Sequence, residues 1–435
     1  MAGVLARQVP PEARLVLGLS GGLDSSVLLH VLAVLRARHP FALAAVHVHH
    51  GLSPNADAWA SFCQRLCAAH AVPLTVVRVQ VDRADPGGVE AAARQVRHRA
   101  FAGCDADFLL TAQHQDDQAE TFLLQALRGA GPKGLAAMAE CRHPTGARLA
   151  HLRPLLAVPR ATLHAAARAA GVEWIEDESN TDAAYRRNAL RHAVLPALRE
   201  HFPAVTATLA RAAAHQAEAA DLLDELARLD AAGSVTGERL DCAALAALPR
   251  ARARNLLRFF LAGRGVRMPG ARRLDEALRQ VCEARADARV RVALEGVELR
   301  RFRGGVYAVA AEPPPMPRVW QGEQAWALPG LGTLHLRPER GRGLPASALV
   351  AGRTTLDVRR GGERLRLTAG GPTRSLKTLL QACALPPWER DRLPVLRLDG
   401  AVLWAEGFGV NADWCVAADA PGWVPDWCPA KADGA

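Results

Sequence analysis

Over its first 130 residues the chain alternates short apolar runs with longer stretches of helical spacing. Apolar runs at Arg14–Leu19, Phe41–Val48, Leu74–Val81 and Phe108–Thr111 predict strands. Between and after them, Ser25–Leu35, Ala56–His70, Gly88–Ala102 and Asp116–Leu127 carry the three-and-four spacing of helices. Strands that alternate with helices predict a parallel sheet covered on both faces. Sheets of that kind bind ligands beyond the carboxyl ends of their strands.

The pattern then changes twice. From Pro203 to Cys282 it is mostly helical, with ATLARAAAHQAEAADLLDELARL as one long amphipathic stretch. Arg289–Val309 turns β-like, with Gly304-Gly305 as the expected hairpin turn, and EPPPMP (Glu312–Pro317) is a stiff linker. Short strands, many glycines and the tryptophans Trp388, Trp404, Trp414, Trp423 and Trp427 follow. The expected fold class is α/β in three parts. A parallel-sheet domain spans 1–200, a mostly helical middle domain spans 201–312, and a small α+β domain spans 318–435 with its core at 353–420.

Composition narrows the partners more than the fold. Half of the 435 residues are hydrophobic and 23% are charged, as in a folded globular protein. There is no run of about 18 apolar residues, so no membrane span is expected. The first residues lack the features of a secretory signal, so a cytoplasmic location is expected. Nine scattered cysteines with no Cys-x-x-Cys pair read as free thiols. The net charge is +10, and residues 353–400 hold ten Arg/Lys against five Asp/Glu. Only Lys133, Lys377 and Lys431 are lysines among 54 basic residues, so part of the arginine excess reflects a GC-rich genome. A basic balance suits a polyanionic partner.

The candidate chemistry lies at strand ends. After the first strand comes Ser20-Gly-Gly-Leu-Asp-Ser-Ser26, which runs straight into a helix. Glycines let backbone amides wrap an anion, and the helix N-terminus adds positive potential. Ser20, Ser25 and Ser26 can donate hydroxyls. The lysine of the usual phosphate loop is absent, which suits pyrophosphate bound with a metal ion, Asp24 standing near Mg²⁺. A plain turn with Asp24 or Ser25 as N-cap is the bland alternative.

After the fourth strand, TAQHQDDQAETFLL places His114 at the turn and Asp116, Asp117 and Glu120 in the first turns of a helix. Glu120 shares a face with both aspartates. The cluster fits a Mg²⁺ site or a general base, or else a solvated acidic helix start. HVHHGL (His47–Leu52) is a third strand end, fit for a metal, a nucleotide contact or a polar mouth. Arg94, Arg97 and His98 share one helix and can hold phosphates or form a basic face. DESNTDAAYRRNALRH (Asp177–His192) combines an acidic turn with Arg186, Arg187, Asn188 and Arg191. In the tail, Arg359, Arg360, Arg364, Arg366, Arg374 and Lys377 can grip phosphates or make an ordinary basic surface. The tryptophans can stack on bases or pack a core.

The lysine-free SGGLDS loop resembles the signature of N-type ATP pyrophosphatases, the PP-loop superfamily with its adenine nucleotide alpha hydrolase-like fold. The longer motifs resemble one family within it, the tRNA(Ile)-lysidine synthetases. They are HVHHGL, the Glu90–Phe101 helix, TAQHQDDQAETFLL, RGAGPKGLAAM, RPLL (Arg153–Leu156), the Asp177–Arg191 segment and VLPAL (Val194–Leu198). The tail RRGGERLRL…RSLKTLLQACALPPWERDRLPVL resembles that family's tRNA-binding domain.

The resemblance implies a two-step ligation. ATP adenylates the C2 oxygen of the wobble cytidine in the CAU anticodon of tRNA(Ile), and pyrophosphate leaves. Free L-lysine then attacks C2 and expels AMP. The lysidine formed switches codon reading from AUG to AUA and charging from methionine to isoleucine. By resemblance, Ser20, Gly21, Gly22, Leu23, Asp24 and Ser25 cradle ATP, with Asp24 at Mg²⁺. Asp24, Asp117, Glu120 and Arg94 fall at catalytic positions. His114, Arg187, Arg359, Arg360, Arg364 and Lys377 fall at substrate-binding ones. A homodimer is compatible with the resemblance. Position 113 departs from it, with glutamine where many relatives have histidine.

Two rival readings remain. A tRNA 2-thiolase would use paired cysteines near the site, and none is present. A non-catalytic tRNA-binding protein would not need intact SGGLDS and DDQAET motifs.

Overall fold

The computed structural model describes every residue except 86–87, 145–147, 177–185, 286–287, 312, 314, 384 and 431–435, together with all described side chains but that of Glu90. It divides into two compact units, Met1–Leu226 and Ala227–Ala435.

The first unit is built on a six-stranded sheet of β1 (Arg14–Gly18), β2 (Ala42–His49), β3 (Leu74–Arg78), β4 (Phe108–Leu110), β5 (Cys141–Arg142) and β6 (Ala150–Leu152). Their spatial order is β3-β2-β1-β4-β6-β5. All neighbours are parallel except β5 and β6. The apolar runs are continuous because both sheet faces are covered. Leu15 and Leu17 of β1, with Phe108 and Leu110 of β4, enter one core. Val16 and Leu109, the residues between them, enter the opposite core with Phe101.

Among the described residues, seven helices accompany the sheet as far as residue 169: α1 (Ala2–Gln8), α2 (Leu23–Leu35), α3 (Ala56–Ala69), α4 (Val89–Ala102), α5 (Gln115–Ala126), α6 (Pro132–Leu135) and α7 (Arg160–Ala169). Leu5 of α1, Leu28 of α2, Cys63 of α3 and Leu163 of α7 fill the first core. Phe101 of α4 fills the second.

Strand order reverses direction at β1: β2 lies on one side and β4 on the other. The connections from β1 and β4 therefore diverge and leave a crevice beyond their carboxyl ends. The loop after β1 and the loop after β4 both open there. The short strands β5 and β6, and helix α7, add to the expected pattern.

After the undescribed residues 177–185, α8 (Arg186–Ala189) runs through a π-helical turn, Leu190–Val194, into α9 (Leu195–His201) and then α10 (Val205–Ala231). The acidic part of the Asp177–His192 motif thus lies outside the described residues.

In the second unit, α11 (Cys242–Ala247), α12 (Arg250–Ala262) and α13 (Ala271–Glu283) pack on a sheet. Its strands are β7 (Val235–Thr236), β8 (Arg239–Asp241), β9 (Arg291–Ala293), β10 (Val297–Phe302) and β11 (Gly305–Ala310), ordered β7-β8-β11-β10-β9. The hairpin turn falls on Arg303-Gly304, not on Gly304-Gly305. Phe302 pairs with Gly305, and both turn residues have positive φ, 45° and 72°. That is the primed two-residue turn that matches strand twist.

Beyond the linker come a five-stranded and a three-stranded antiparallel sheet, with a small β-pair. Trp404 is buried in their core, and Trp414, Trp423 and Trp427 pack against it. Core packing therefore accounts for those four. Trp388 sits edge-on to Phe302 and beside Tyr307 of the β10–β11 hairpin.

Leu28 is fully buried between α2 and the sheet. Leu28→Ala is expected to cost about 2–5 kcal/mol through the loss of buried methyl groups and the cavity left behind. Chemical denaturation followed by circular dichroism checks this, and the first unit's transition should move alone.

Candidate functional site

The loop after β1 is shaped by a few hydrogen bonds. Gly21 has φ +87, and a Cβ there would lie 2.9 Å from Ile175 Cδ1 and 3.1 Å from Cys63 Sγ. Only glycine fits both the backbone angle and the space. Gly21 O accepts from the Ile175 amide at 2.9 Å and from Ser26 Oγ at 3.2 Å. Ser25 Oγ donates to Gly22 O at 3.1 Å and lies 3.0 Å from Ser20 Oγ.

The expected serine donors therefore differ. Ser26 is fully buried and spent on the loop itself. Ser25 is buried, and Ser20 is exposed. Leu23 packs into the core, so it can offer only its backbone. His47 of β2 holds the loop from below, with Nδ1 2.9 Å from Leu19 O. Burial pushes the His47 pKa down. Its neutral imidazole donating to that carbonyl makes it a prop. Among the described residues no group of three or more His, Cys, Asp or Glu forms a metal cage, the histidine cluster included.

The loop after β4 ends in a reciprocal cap on α5. The His114 amide donates to Asp117 Oδ2 at 3.0 Å, and the Asp117 amide reaches His114 Nδ1 at 3.4 Å. His114 is almost wholly buried, and its Nε2 stands 3.5 Å from Asp24 Oδ2 and 3.4 Å from Asp117 Oδ2. This imidazole joins the two loops across the crevice. Burial alone would lower its pKa, but Asp24, Asp117 and Asp116 outweigh burial and raise it. Asp24 keeps its other oxygen, Oδ1, buried and without a partner.

The carboxylates of α5 are matched by arginines from α8 and the turns after it. Arg187 donates from Nε to Glu120 Oε2 at 2.7 Å and from Nη2 to Asp117 Oδ1 at 2.8 Å. Arg191 donates from Nε to Glu120 Oε1 at 2.6 Å and from Nη2 to Asp117 Oδ1 at 3.1 Å. Glu120 is only 1% exposed, so its charge is compensated almost entirely by these two guanidinium groups. Asp116 accepts from Arg199 Nη2 at 2.6 Å and from the Arg160 amide at 2.9 Å. The sequence showed Arg191 only as one basic residue of its motif, and Arg199 carried no functional signal. Four-residue spacing from Arg187 was the one hint for Arg191.

Arg94 lies elsewhere. On α4 it is exposed, in a basic neighbourhood with His98, Arg142, His151 and Arg153. It makes no described contact with Asp24, Asp117 or Glu120.

Residues 4–198 match the PP-loop domain family, residues 240–307 the TilS substrate binding domain and residues 354–427 the TilS substrate C-terminal domain. The tRNA(Ile)-lysidine synthase of Azoarcus sp. (strain BH72) is 46% identical over 428 residues, covering 98% of this chain and 94% of the relative. That of Nitrosomonas europaea is 41% identical over 432 residues, with 98% and 94% covered. That of Aromatoleum aromaticum is 44% identical over 412 residues, with 94% and 96% covered. The chain belongs to the tRNA(Ile)-lysidine synthase family. It is thereby a member of a family of ligases, with the PP-loop fold in its first unit.

The C-terminal part of this lysidine synthase relative separates the tail arginines into two sets. Arg359 is mostly buried between Glu363 and Asp391, and Arg360 Nε contacts Asp357 Oδ2 at 2.5 Å. Arg397 joins the same buried network through Glu363 at 2.8 Å. Arg359 is thus held beside Glu363 and Asp391, Arg360 meets Asp357 through Nε but keeps most of its side chain exposed, and Arg366 pairs with Asp413 at 2.9 Å. Arg364, Arg374 and Lys377 are exposed and have no carboxylate partner among the described residues. No described helix is long and apolar enough to cross a membrane.

The raised His114 pKa has a sign that can be tested. Its extra stability is fully present below the ordinary imidazole value and is lost as pH rises through the folded value. Across about pH 5.5–8.5, the melting temperature of the parent should fall relative to that of His114→Asn, which keeps a capping side chain. Parallel curves would remove His114 as the group responsible.

Proposed function

We propose that the protein joins L-lysine to C2 of the wobble cytidine in the CAU anticodon of tRNA(Ile), by way of an adenylated cytidine. The observation that carries this reading is the His114 bridge. It brings the anion-binding loop of β1 and the charged site of α5 into one crevice, where a nucleotide phosphate and an amine can meet.

Each half of the reaction finds residues suited to it. Cytosine C2 is a poor electrophile because its oxygen leaves poorly, and adenylation turns that oxygen into part of AMP. The backbone of Ser20–Ser25 and the N-terminus of α2 face the departing pyrophosphate. The buried, unpaired Asp24 Oδ1 is a carboxylate oxygen that would hold Mg²⁺. When bound, the ion would neutralise charge on those phosphates.

Lysine's ε-ammonium, with a pKa of about 10.4, must lose a proton before it attacks. Glu120 has both oxygens held by arginine. Asp117 Oδ2 receives only the His114 amide and faces the His114 imidazole. Asp117, backed by His114, is therefore the proton acceptor, and Glu120 positions Arg187 and Arg191. Those guanidinium groups, part-exposed, suit the lysine carboxylate. The middle and C-terminal domains, at 201–312 and 318–435, hold the tRNA. Arg364, Arg374 and Lys377 contact its phosphates.

Incubation with ATP, labelled lysine and tRNA(Ile) transcripts tests the reading. Label should enter the transcript carrying wobble cytidine and not one carrying wobble uridine. Sulfur transfer, or RNA binding without incorporation, would replace it by one of the rival readings.

The tail assignment has its own test. Arg364→Gln, Arg374→Gln and Lys377→Gln together should weaken tRNA binding uniformly. They should lower the slope of log K against log salt by about 0.7–0.9 for each phosphate no longer neutralised. Arg359→Gln should leave that slope unchanged.

A further inference from the structure

At the carboxyl ends of β4 and β6 runs a chain of hydrogen bonds whose direction can be read from its first member. Arg153, at the end of β6, donates from Nη1 to Ala139 O at 2.8 Å and from Nη2 to His151 Nδ1 at 2.9 Å. A guanidinium only donates, so Nδ1 must accept. The proton of a neutral imidazole then sits on Nε2. The imidazole is neutral: burial and the positive charges of Arg153, His98, Arg142 and Arg94 push its pKa down to about 3. Nε2 therefore donates to Thr111 Oγ1 at 2.6 Å. The single hydroxyl proton of Thr111 goes to Gln113 Oε1.

The result is a fixed amide. Gln113 has its oxygen occupied, so its NH₂ group faces away from Thr111, and no described residue bonds to it. Gln113 is half-buried, at the carboxyl end of β4 and next to His114. The guanidinium groups of Arg153, Arg142 and Arg94 act on His151, so the neighbourhood favours an anion.

Resting on the nucleotidyl-transfer reading above, we propose that Arg153, His151 and Thr111 are positioning residues. They present the Gln113 NH₂ as a fixed donor to a phosphate oxygen of the bound substrate. A glutamine in this place cannot exchange protons in the accessible pH range. Its contribution is binding and orientation, and the three residues behind it prevent the amide from flipping its oxygen toward the anion.

Direct binding measurements test this without relying on turnover. ATP binding is measured in the absence of RNA, and tRNA binding in the absence of ATP, for the parent, Gln113→Met, Thr111→Val and Thr111→Ser. Thermal melting serves as the check on folding. Loss of a hydrogen bond to a charged group is worth about ten- to a hundredfold in affinity. Gln113→Met should lose that much for ATP if the oxygen belongs to the nucleotide, or for tRNA if it belongs to the RNA backbone. Thr111→Val should lose affinity for the same ligand, and Thr111→Ser should restore it to within about threefold of the parent.

Unchanged affinity for both ligands in Gln113→Met, or equal losses in Thr111→Val and Thr111→Ser, overturns the proposal. Absence of lysine incorporation by the parent would instead overturn the proposed function and leave these binding results readable.

Discussion

Crowded negative charge at the carboxyl ends of two adjacent strands is the constraint on which the site depends. Asp24, Asp116, Asp117 and Glu120 converge there, and Glu120 is almost wholly buried. Uncompensated carboxylates so placed would protonate or force the structure apart. Three arginines from α8–α9 and one buried imidazole supply the compensation. The same pairs fasten the segment after residue 185 to α5, so charge balance and tertiary structure are one interaction. Two positive and two negative side chains in one partly buried cluster also suit a zwitterionic amino acid.

Sheet order places this cluster opposite the anion loop. Because connections diverge at β1, the loops after β1 and β4 share a crevice, and His114 spans it. Gly21 keeps the first loop tight against Ile175 and Cys63, and Ser25 and Ser26 tie its carbonyls from within. On the other side of β4, the neutral His151 and the charged Arg153 hold Gln113 by hydrogen bonds alone. The carboxylates beyond β1 and β4 thus meet a titratable histidine, while the basic cluster beside β6 keeps its histidine neutral.

Much of this was legible in the sequence, for reasons particular to each element. The runs in β1, β2 and β4 stood out because both sheet faces are buried, which keeps them largely apolar, with His47 and His49 at the end of β2 the exception. SGGLDS and HQDDQAE announced themselves through glycine and carboxylate spacing within a few residues. Strands β5 and β6 did not, because their two and three residues include Arg142 and His151 and so form no apolar run. The hairpin turn was misplaced by one residue because Arg303, not a glycine, takes the first left-handed position. The roles of Arg191 and Arg199 were hidden because their partners lie about 70–80 residues upstream, a separation closed only by folding. The pairing of Arg359 and Arg360 with Asp357 and Glu363 is local, at spacings of three and four, and a list of basic residues alone does not show it.

The central claim is that one crevice runs two half-reactions, activation at the loop of β1 and amine transfer at α5. Pyrophosphate release and lysine incorporation, followed in the same reaction for Asp24→Asn and Asp117→Asn, separate them. The account expects Asp24→Asn to lose both signals. It expects Asp117→Asn to keep RNA-dependent pyrophosphate release while lysine incorporation falls by at least about a hundredfold. Loss of pyrophosphate release in Asp117→Asn to the level of Asp24→Asn, or lysine incorporation at the parent rate, would contradict it.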